Sequence, residues 1–376
     1  MFNQPNNFIY KYTPILSIRP SEMNALEELP DKDKDIILPI IPLKGWVGSK
    51  RLENSTSRIE KAIGERFWVA DIDATFIEDN IDYLLKGEYP REVFNEIEAL
   101  LDSDNGYENW YQYLSKISNA IPTLQLQDSE QLEPQIIKLN SLGRGIVVRF
   151  TTSDINSDQY LDVINILSRL GIDEVFIVFD YGQVNREVLT FAAVIISVIQ
   201  NSQAILPTAI FAISCSSFPS SFSGENYGEN PIYERRLFNM VSNECPEIRM
   251  IYSDRGGARA EKIGGGGGIP SPRIDYPLGN DWQFIRKEFE DHEAPAENEK
   301  EELYTAIATE LLNADYWNPN LHVWGTQVIE LTSLGDEFGI NSPIKATAVR
   351  INIHLHQQLY YGAPVELMDT DEDWED

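Results

Sequence analysis

Along the first three-quarters of the chain, short apolar runs rich in β-branched residues alternate with segments whose apolar positions recur every three or four residues. Ile9–Ile18, Ile36–Leu43, Phe67–Ile72, Ile121–Leu126, Gly145–Thr151, Glu174–Asp180, Ala204–Ser214 and Ile248–Tyr252 are eight strand candidates. Runs this apolar suit strands covered on both faces, as in parallel sheets. The intervening segments carry helical signatures. Met23, Ala25, Leu26 and Leu29 follow the N-cap candidate Ser21, and Leu132–Leu142 is closed by Gly143. Asp158–Leu170 is apolar at 161, 163, 164, 166, 167 and 170 and stops at Gly171. Val184–Ile199 reads as a strongly apolar helix.

Eight strand–helix units predict an α/β fold, a (β/α)8 TIM-barrel-like domain over residues 8–290. An open doubly wound sheet is the runner-up, because counting strands does not establish closure. No dinucleotide glycine fingerprint follows the first strand. Beyond Arg286 the pattern changes. Glu288–Glu302 carries eight carboxylates, and residues 300–362 read as an α+β extension packed on the barrel, with Thr347–His356 strand-like. Residues 363–376 read as an acidic disordered tail.

Composition narrows the function classes. The 376 residues carry 30 basic and 60 acidic side chains, a net charge of −30. Such a field repels nucleic acid and anionic membranes unless a local basic pocket overrides it, and it attracts basic partners. Two cysteines, Cys215 and Cys245, are no disulfide framework and suit a reducing compartment. The N-terminus has no signal-peptide layout, and the longest apolar run, Leu189–Ile199, is shorter than the ~18 residues of a membrane span. A cytoplasmic protein with no membrane partner is expected.

In a barrel, the C-terminal strand ends carry the chemistry. Those ends would present Arg19, Lys44, Asp71, Asp73, Gln125, Arg149, Asp180, Ser214, Asp254 and Arg255. Converging carboxylates divide acid and base roles or hold a hard cation such as Mg²⁺. Asp71, Asp180 and Asp254 are therefore the catalytic candidates, with Asp71 and Asp254 the metal candidates. Against this stands the plainer role of a strand-end Asp as a helix cap or partner to a buried Arg. Arg149, Arg255, Arg273 and Arg286 are candidate grips for phosphate, and Tyr276 and Trp282 candidate stacking planes. The latter four equally suit a well-packed loop over the barrel end. Gly264–Gly268 lacks the Lys-Ser/Thr of a P-loop and reads as a lid or linker. His354 and His356 have no third ligand at zinc spacing.

Several motifs point to one family. Tyr12-x-Pro14-Ile15-Leu16 with Glu22 and Ala25-Leu26, then Pro39-x-x-Pro42-Leu43, resembles the start of the beta-protein family, named for a T-even phage protein and with bacterial members. Pro270-Ser271-Pro272-Arg273-x-x-Tyr276 with Trp282 and Arg286, Trp324-Gly325, and Arg350-x-Asn352-x-His354 resemble its later segments. Lys44 stands where the family pattern has an acid, and the paired histidines appear as His354-Leu355-His356. The resemblance implies a barrel-like α/β protein found beside mobile elements or defence genes, and no agreed reaction. Two functions are expected from it and from the residues. One is a phage-defence or mobile-element protein whose barrel mouth binds a nucleotide or nucleic acid end, with metal-assisted phosphodiesterase or nuclease chemistry. The other is a non-enzymatic, antitoxin-like acidic protein that engages a basic protein partner from a neighbouring defence gene.

Overall fold

The computed structural model describes residues 9–222, 224–260 and 269–363. The Gly264–Gly268 run and the expected acidic tail from residue 364 onward lie outside the described residues.

Strands β1 (Ile40–Leu43), β2 (Trp68–Ile72) and β3 (Ala120–Pro122) form one parallel sheet in that order. Strands β4 (Ile146–Thr151), β5 (Val175–Gln183), β6 (Ile210–Ser216) and, after the intervening β7 (Tyr227–Pro231), β8 (Met250–Tyr252) form the other, in the order β4-β5-β6-β8. The expected α/β class with parallel sheets is present. Neither parallel sheet closes on itself through these named strands, but single bridges join their edges. Thr123 pairs with Val147, Ile15 with Ile40, and Tyr12 with both Ile37 and Tyr252. The Thr13 N–H donates to the Tyr252 carbonyl at 3.0 Å, and the Leu38 N–H to that of Tyr12 at 2.9 Å.

Alternation along the strands sorts the side chains into two cores. In β5, Phe176 and Val178 enter one apolar cluster with Ile15, Ile40, Val69, Ile121, Val147, Ala212 and Ile251. Val175, Ile177 and Phe179 enter the larger cluster under the helices. The smaller cluster draws on all eight strand segments foreseen in the sequence. Burial on both faces is why these runs show no polar alternation.

Three sequence expectations need correction. Thr347–His356 is not a strand: it lies inside the C-terminal helix Pro343–Leu359, started by Pro343 and capped by the Ser342 side chain. Arg350, Asn352, His354 and His356 alternate with Val349, Ile351, Ile353 and Leu355, which mimics a strand. The helix tolerates polar residues all round because it is buried all round, and each reaches a polar partner on a different element. The Arg273–Arg286 stretch is not a loop. It forms β9 (Arg273–Pro277) and β10 (Asp281–Arg286), an antiparallel sheet with β7 in the order β7-β10-β9. Finally, a 3₁₀ turn at Arg186–Phe191 continues into the helix Ala192–Ile205. Together they make a 20-residue stretch of mean hydropathy 1.7, long and apolar enough to cross a membrane, unlike the shorter run counted from sequence. Ala192, Ile195, Val198 and Ile199 pack into the larger core, and Phe191 and Val194 stay exposed.

A further apolar cluster joins β9 and β10 to the helices Glu299–Leu312, Trp324–Ser333 and Pro343–Leu359. The C-terminal helix belongs to two clusters, through Val349 and Ile353 on one side and Ile351 and Leu355 on the other. Gly325 permits its approach to the neighbouring helix, since a Cβ there would lie 2.6 Å from Ile353 and 2.8 Å from the Val349 carbonyl.

Candidate functional site

The ends of β2, β4, β5 and β8 bring four predicted residues together. Arg149 lies within β4, opposite Val178, and its side chain leaves the apolar alternation of Val148 and Phe150. Its Nε donates to Asp71 Oδ2 at 2.7 Å and its Nη1 to Asp180 Oδ2 at 2.9 Å. Arg255, just past β8, donates from Nη2 to the same Asp180 oxygen at 2.5 Å. Gln125 reaches Asp71 at 3.4 Å, and the Gly182 N–H caps the other Asp180 oxygen at 3.1 Å. The carboxylates are buried, while the Arg149 and Arg255 side chains keep 19% and 17% of their surface exposed. Burial pushes the Asp180 carboxyl up, but Arg255 and Arg149 outweigh it and hold the group below the usual carboxylate range. Burial likewise works against the Arg149 cation, and Asp71 and Asp180 more than compensate.

Lys44 and Asp73 are tied locally. Lys44 hydrogen-bonds Ser17 and lies 3.5 Å from Asp73; burial lowers its pKa and Asp73 opposes the shift. Ser214 is buried.

Asp254 stands apart from the Asp71–Asp180 pair in its bonding. It is fully buried and accepts from the Tyr12 hydroxyl, from Tyr252 at 2.8 Å and from the Gly256 N–H at 2.7 Å. His354 Nε2, brought by the C-terminal helix, lies 2.7 Å from Asp254 Oδ2. Burial alone would raise this carboxyl's pKa; His354 and the donated hydrogen bonds bring it below its ordinary value. His356 serves a different carboxylate, Asp33, at 2.7 Å, so the two histidines do not share a site.

These bonds decide whether a divalent ion fits. Arg149 occupies the space between Asp71 and Asp180, and Asp254 is closed in by two tyrosines, a histidine and a backbone N–H. Among the described residues no three His, Cys, Asp or Glu side chains group as metal ligands. The residues present do not fit Mg²⁺ held by Asp71 and Asp254.

Arg273, Tyr276, Trp282 and Arg286 lie on the β9–β10 hairpin. Tyr276 is buried, and its hydroxyl accepts the Asn318 N–H at 3.3 Å. Trp282 is buried against Phe218, with ring centroids 5.3 Å apart. Arg286 pairs with Glu288 at 2.8 Å and Ser271 at 3.0 Å. Arg273 lies with its guanidinium 3.6 Å from the Phe222 ring centre and ion-pairs with Asp275. Asp275 also accepts from Arg350 Nη1 at 2.7 Å. Sequence reading passed over Asp275, although it sits two residues from Arg273 and hence on the same strand face. It passed over Glu234 and Arg259 too, neither of which lies at a strand end.

The model of the Beta protein family matches residues 12–360. The chain belongs to the Beta protein family. Protein beta of Enterobacteria phage P4 is similar to it, 28% identical over 357 residues that cover 93% of each chain. The chain is therefore associated with phage and mobile elements; the relative found is from phage P4 rather than a T-even phage. In this family member the motif residues cluster where strands of the parallel and antiparallel sheets meet the C-terminal helix. Arg350 bonds Asp275, His354 meets Asp254, and Asn352 links the Gly325 N–H at 2.9 Å to the Ala25 carbonyl at 3.0 Å. His354 also stacks on Trp282, with centroids 6.0 Å apart.

Proposed function

We propose that this Beta protein family member is a mobile-element-associated binding protein. Its strand-end mouth receives a phosphorylated ligand, a nucleotide or nucleic acid end, between Arg149 and Arg255. The observation that carries the reading is the bracing of both guanidinium groups by Asp180, with Asp71 holding Arg149 from the other side. Braced arginines are pre-organised, and their remaining donors fit a phosphate in fork geometry. Arg255 Nε is buried and has no hydrogen-bond partner, so it has a donor to spend. Binding rather than metal-assisted hydrolysis is proposed, because the carboxylates are already committed. The reading takes residues 8–290 as a closed (β/α)8 barrel with 300–362 packed on it. Closure is supported by the edge bridges of Tyr12, Ile15 and Thr123 and by one apolar cluster fed from all eight strand segments. The cytoplasm is the proposed compartment, consistent with two free cysteines.

Isothermal titration with nucleoside monophosphates and 5′-phosphorylated oligonucleotides tests the ligand. Arg255→Gln should weaken binding at least tenfold while Asp180 keeps its bond to Arg149 and the fold stays intact. Equal affinity in wild type and variant, or no binding to either, would sink the proposal.

A second reading, an acidic protein that engages a basic partner, is favoured by one surface. On the short helix Ile81–Lys86, Ile81, Leu84 and Leu85 are 66%, 73% and 76% exposed. Residues 77–98 hold seven acids against Lys86 and Arg91. Exposed apolar groups rimmed by one sign of charge suit a basic amphipathic segment. A synthetic Lys/Leu amphipathic peptide should bind the wild type and lose at least tenfold in affinity for the Leu84→Asp/Leu85→Asp variant. Retained affinity would place the contact elsewhere.

A further inference from the structure

Among the described residues, three arginines crowd about one aromatic ring with a single carboxylate between them. Arg259, Arg273 and Arg350 gather about a single ring, with guanidinium carbons 5.9, 5.9 and 3.9 Å from the Phe218 centroid. Asp275 is the carboxylate that pairs with them. It accepts from Arg350 Nη1 at 2.7 Å and from Arg273 Nη2 at 3.1 Å. Arg273 Nε lies 2.8 Å from Asp275 Oδ1, but off the line of a hydrogen bond, so neither atom gains one. Arg350 Nε also has no partner, although Arg350 is only 5% exposed. Arg259 donates its Nε to the Pro219 carbonyl at 2.8 Å, a neutral acceptor.

Three guanidinium groups facing one carboxylate leave two charges uncompensated. A buried charge without a counter-charge costs several kcal/mol, on the order of what each cation–π contact can only partly return. The consequence appears on the arginines themselves. Burial, and then the neighbouring Arg273, push Arg259 below its ordinary pKa, with Asp275 opposing. Arg350 is lowered by burial, against Asp275 and with Arg273 and Arg259 adding to the effect. A chain with twice as many acids as bases has carboxylates to spare, yet among the described residues Asp275 is the one that pairs with this cluster. The cluster is not sealed: the Arg273 side chain keeps 22% of its surface exposed. It also adjoins the strand ends, because Gln183 at the end of β5 bonds both the Ala260 N–H and the Phe218 carbonyl at 3.0 Å.

We infer that Arg259, Arg273 and Arg350, floored by Phe218 and Phe222 and oriented by Asp275, form a second oxyanion site that takes a phosphate group. Planar guanidinium forks match phosphate oxygens, and the unpartnered Nε of Arg350 supplies a further donor. This site is separate from the Arg149–Arg255 mouth and does not depend on that reading.

The test titrates inorganic phosphate, by calorimetry at low ionic strength, into the full chain carrying Arg255→Gln, which removes one of the two mouth cations and weakens that site. One phosphate should bind, and adding Arg259→Gln should weaken it at least tenfold. Arg259 is chosen because it does not hold Asp275, so its loss leaves the Arg273–Asp275–Arg350 arrangement intact. Circular dichroism and melting temperature verify that both variants are folded, and Arg259→Lys should recover part of the affinity. A nucleoside monophosphate binding more tightly than phosphate would assign the site to an ester, and equal binding would assign it to the free ion; either supports it. Phosphate binding that is absent in Arg255→Gln, or unchanged by Arg259→Gln, overturns the inference and leaves the mouth reading untouched.

Discussion

Replacing Asp254 by alanine should cost about 3–5 kcal/mol of stability, because a buried carboxylate that serves several buried hydrogen-bonding groups is lost. Asp254 receives the Tyr12 and Tyr252 hydroxyls, the Gly256 N–H and His354 Nε2. All four groups are buried, so each would be left without an acceptor and without water. The knot also ties three distant segments: Tyr12 from the N-terminal strand segment, Asp254 from the end of β8 and His354 from the C-terminal helix. Its loss should therefore loosen the edge pairing of Tyr12 with Tyr252 as well. Thermal unfolding should show a melting temperature lower by about 5 °C. Asp254→Asn keeps an acceptor for one hydroxyl and should lose roughly half as much. A double-mutant cycle with His354→Ala should give a coupling energy above about 1 kcal/mol. If Asp254→Ala melts within 2 °C of wild type while ligand binding or an activity disappears, Asp254 is a functional group after all, as its strand-end position suggested.

The strands were legible because apolar, β-branched runs have few alternatives, and their ends correctly brought Asp71, Arg149, Asp180 and Arg255 to one place. An arginine inside an apolar strand was the informative signal, since such a charge must find carboxylates. What sequence could not reveal was which ones. Arg149 takes Asp71 and Asp180, while Asp254, similarly placed at a strand end, is claimed by a helix 100 residues away. The same limit explains Thr347–His356. Its period-two alternation is a good strand signal only where one face meets solvent, and here no face does. Tyr276 and Trp282 looked like a stacking platform because aromatic and cationic residues are common to binding loops and to buried hairpins alike. Only the partners separate the two, and those came from Asn318 and Phe218.

Glu234 should make the protein lose stability as pH rises through neutrality, the reverse of an ordinary paired carboxylate. It sits in the first turn of the helix Tyr233–Glu244, is 2% exposed, and accepts the Ser217 N–H at 3.1 Å and the Ser217 hydroxyl. Its Oε1 has no partner. Burial, aided by the charge on Asp254, pushes its pKa from 4.5 to about 8, with Ser217 opposing. The folded chain thus holds this proton where the unfolded chain has released it. Linkage then gives a contribution that is fully present below the unfolded value and declines until the folded value is passed. The decline amounts to about 5 kcal/mol in total, at no more than about 1.4 kcal/mol per pH unit. Asp254 acts in the opposite direction: its lowered carboxyl contributes stability above the unfolded value that is lost as pH falls through the folded one. Between them they favour mildly acidic conditions. Urea unfolding of Glu234→Gln at pH 5.5, 7.0 and 8.5 isolates the first term, because glutamine retains an acceptor for Ser217 and cannot ionise. The variant should lose at least about 2 kcal/mol less than wild type across that range. Parallel pH dependences would mean that Glu234 is ionised in the folded chain. Its unpartnered oxygen would then need a cationic neighbour, for which Arg235, turned instead onto the rings of Tyr252 and Tyr361 at 3.3 and 4.2 Å, is not in position.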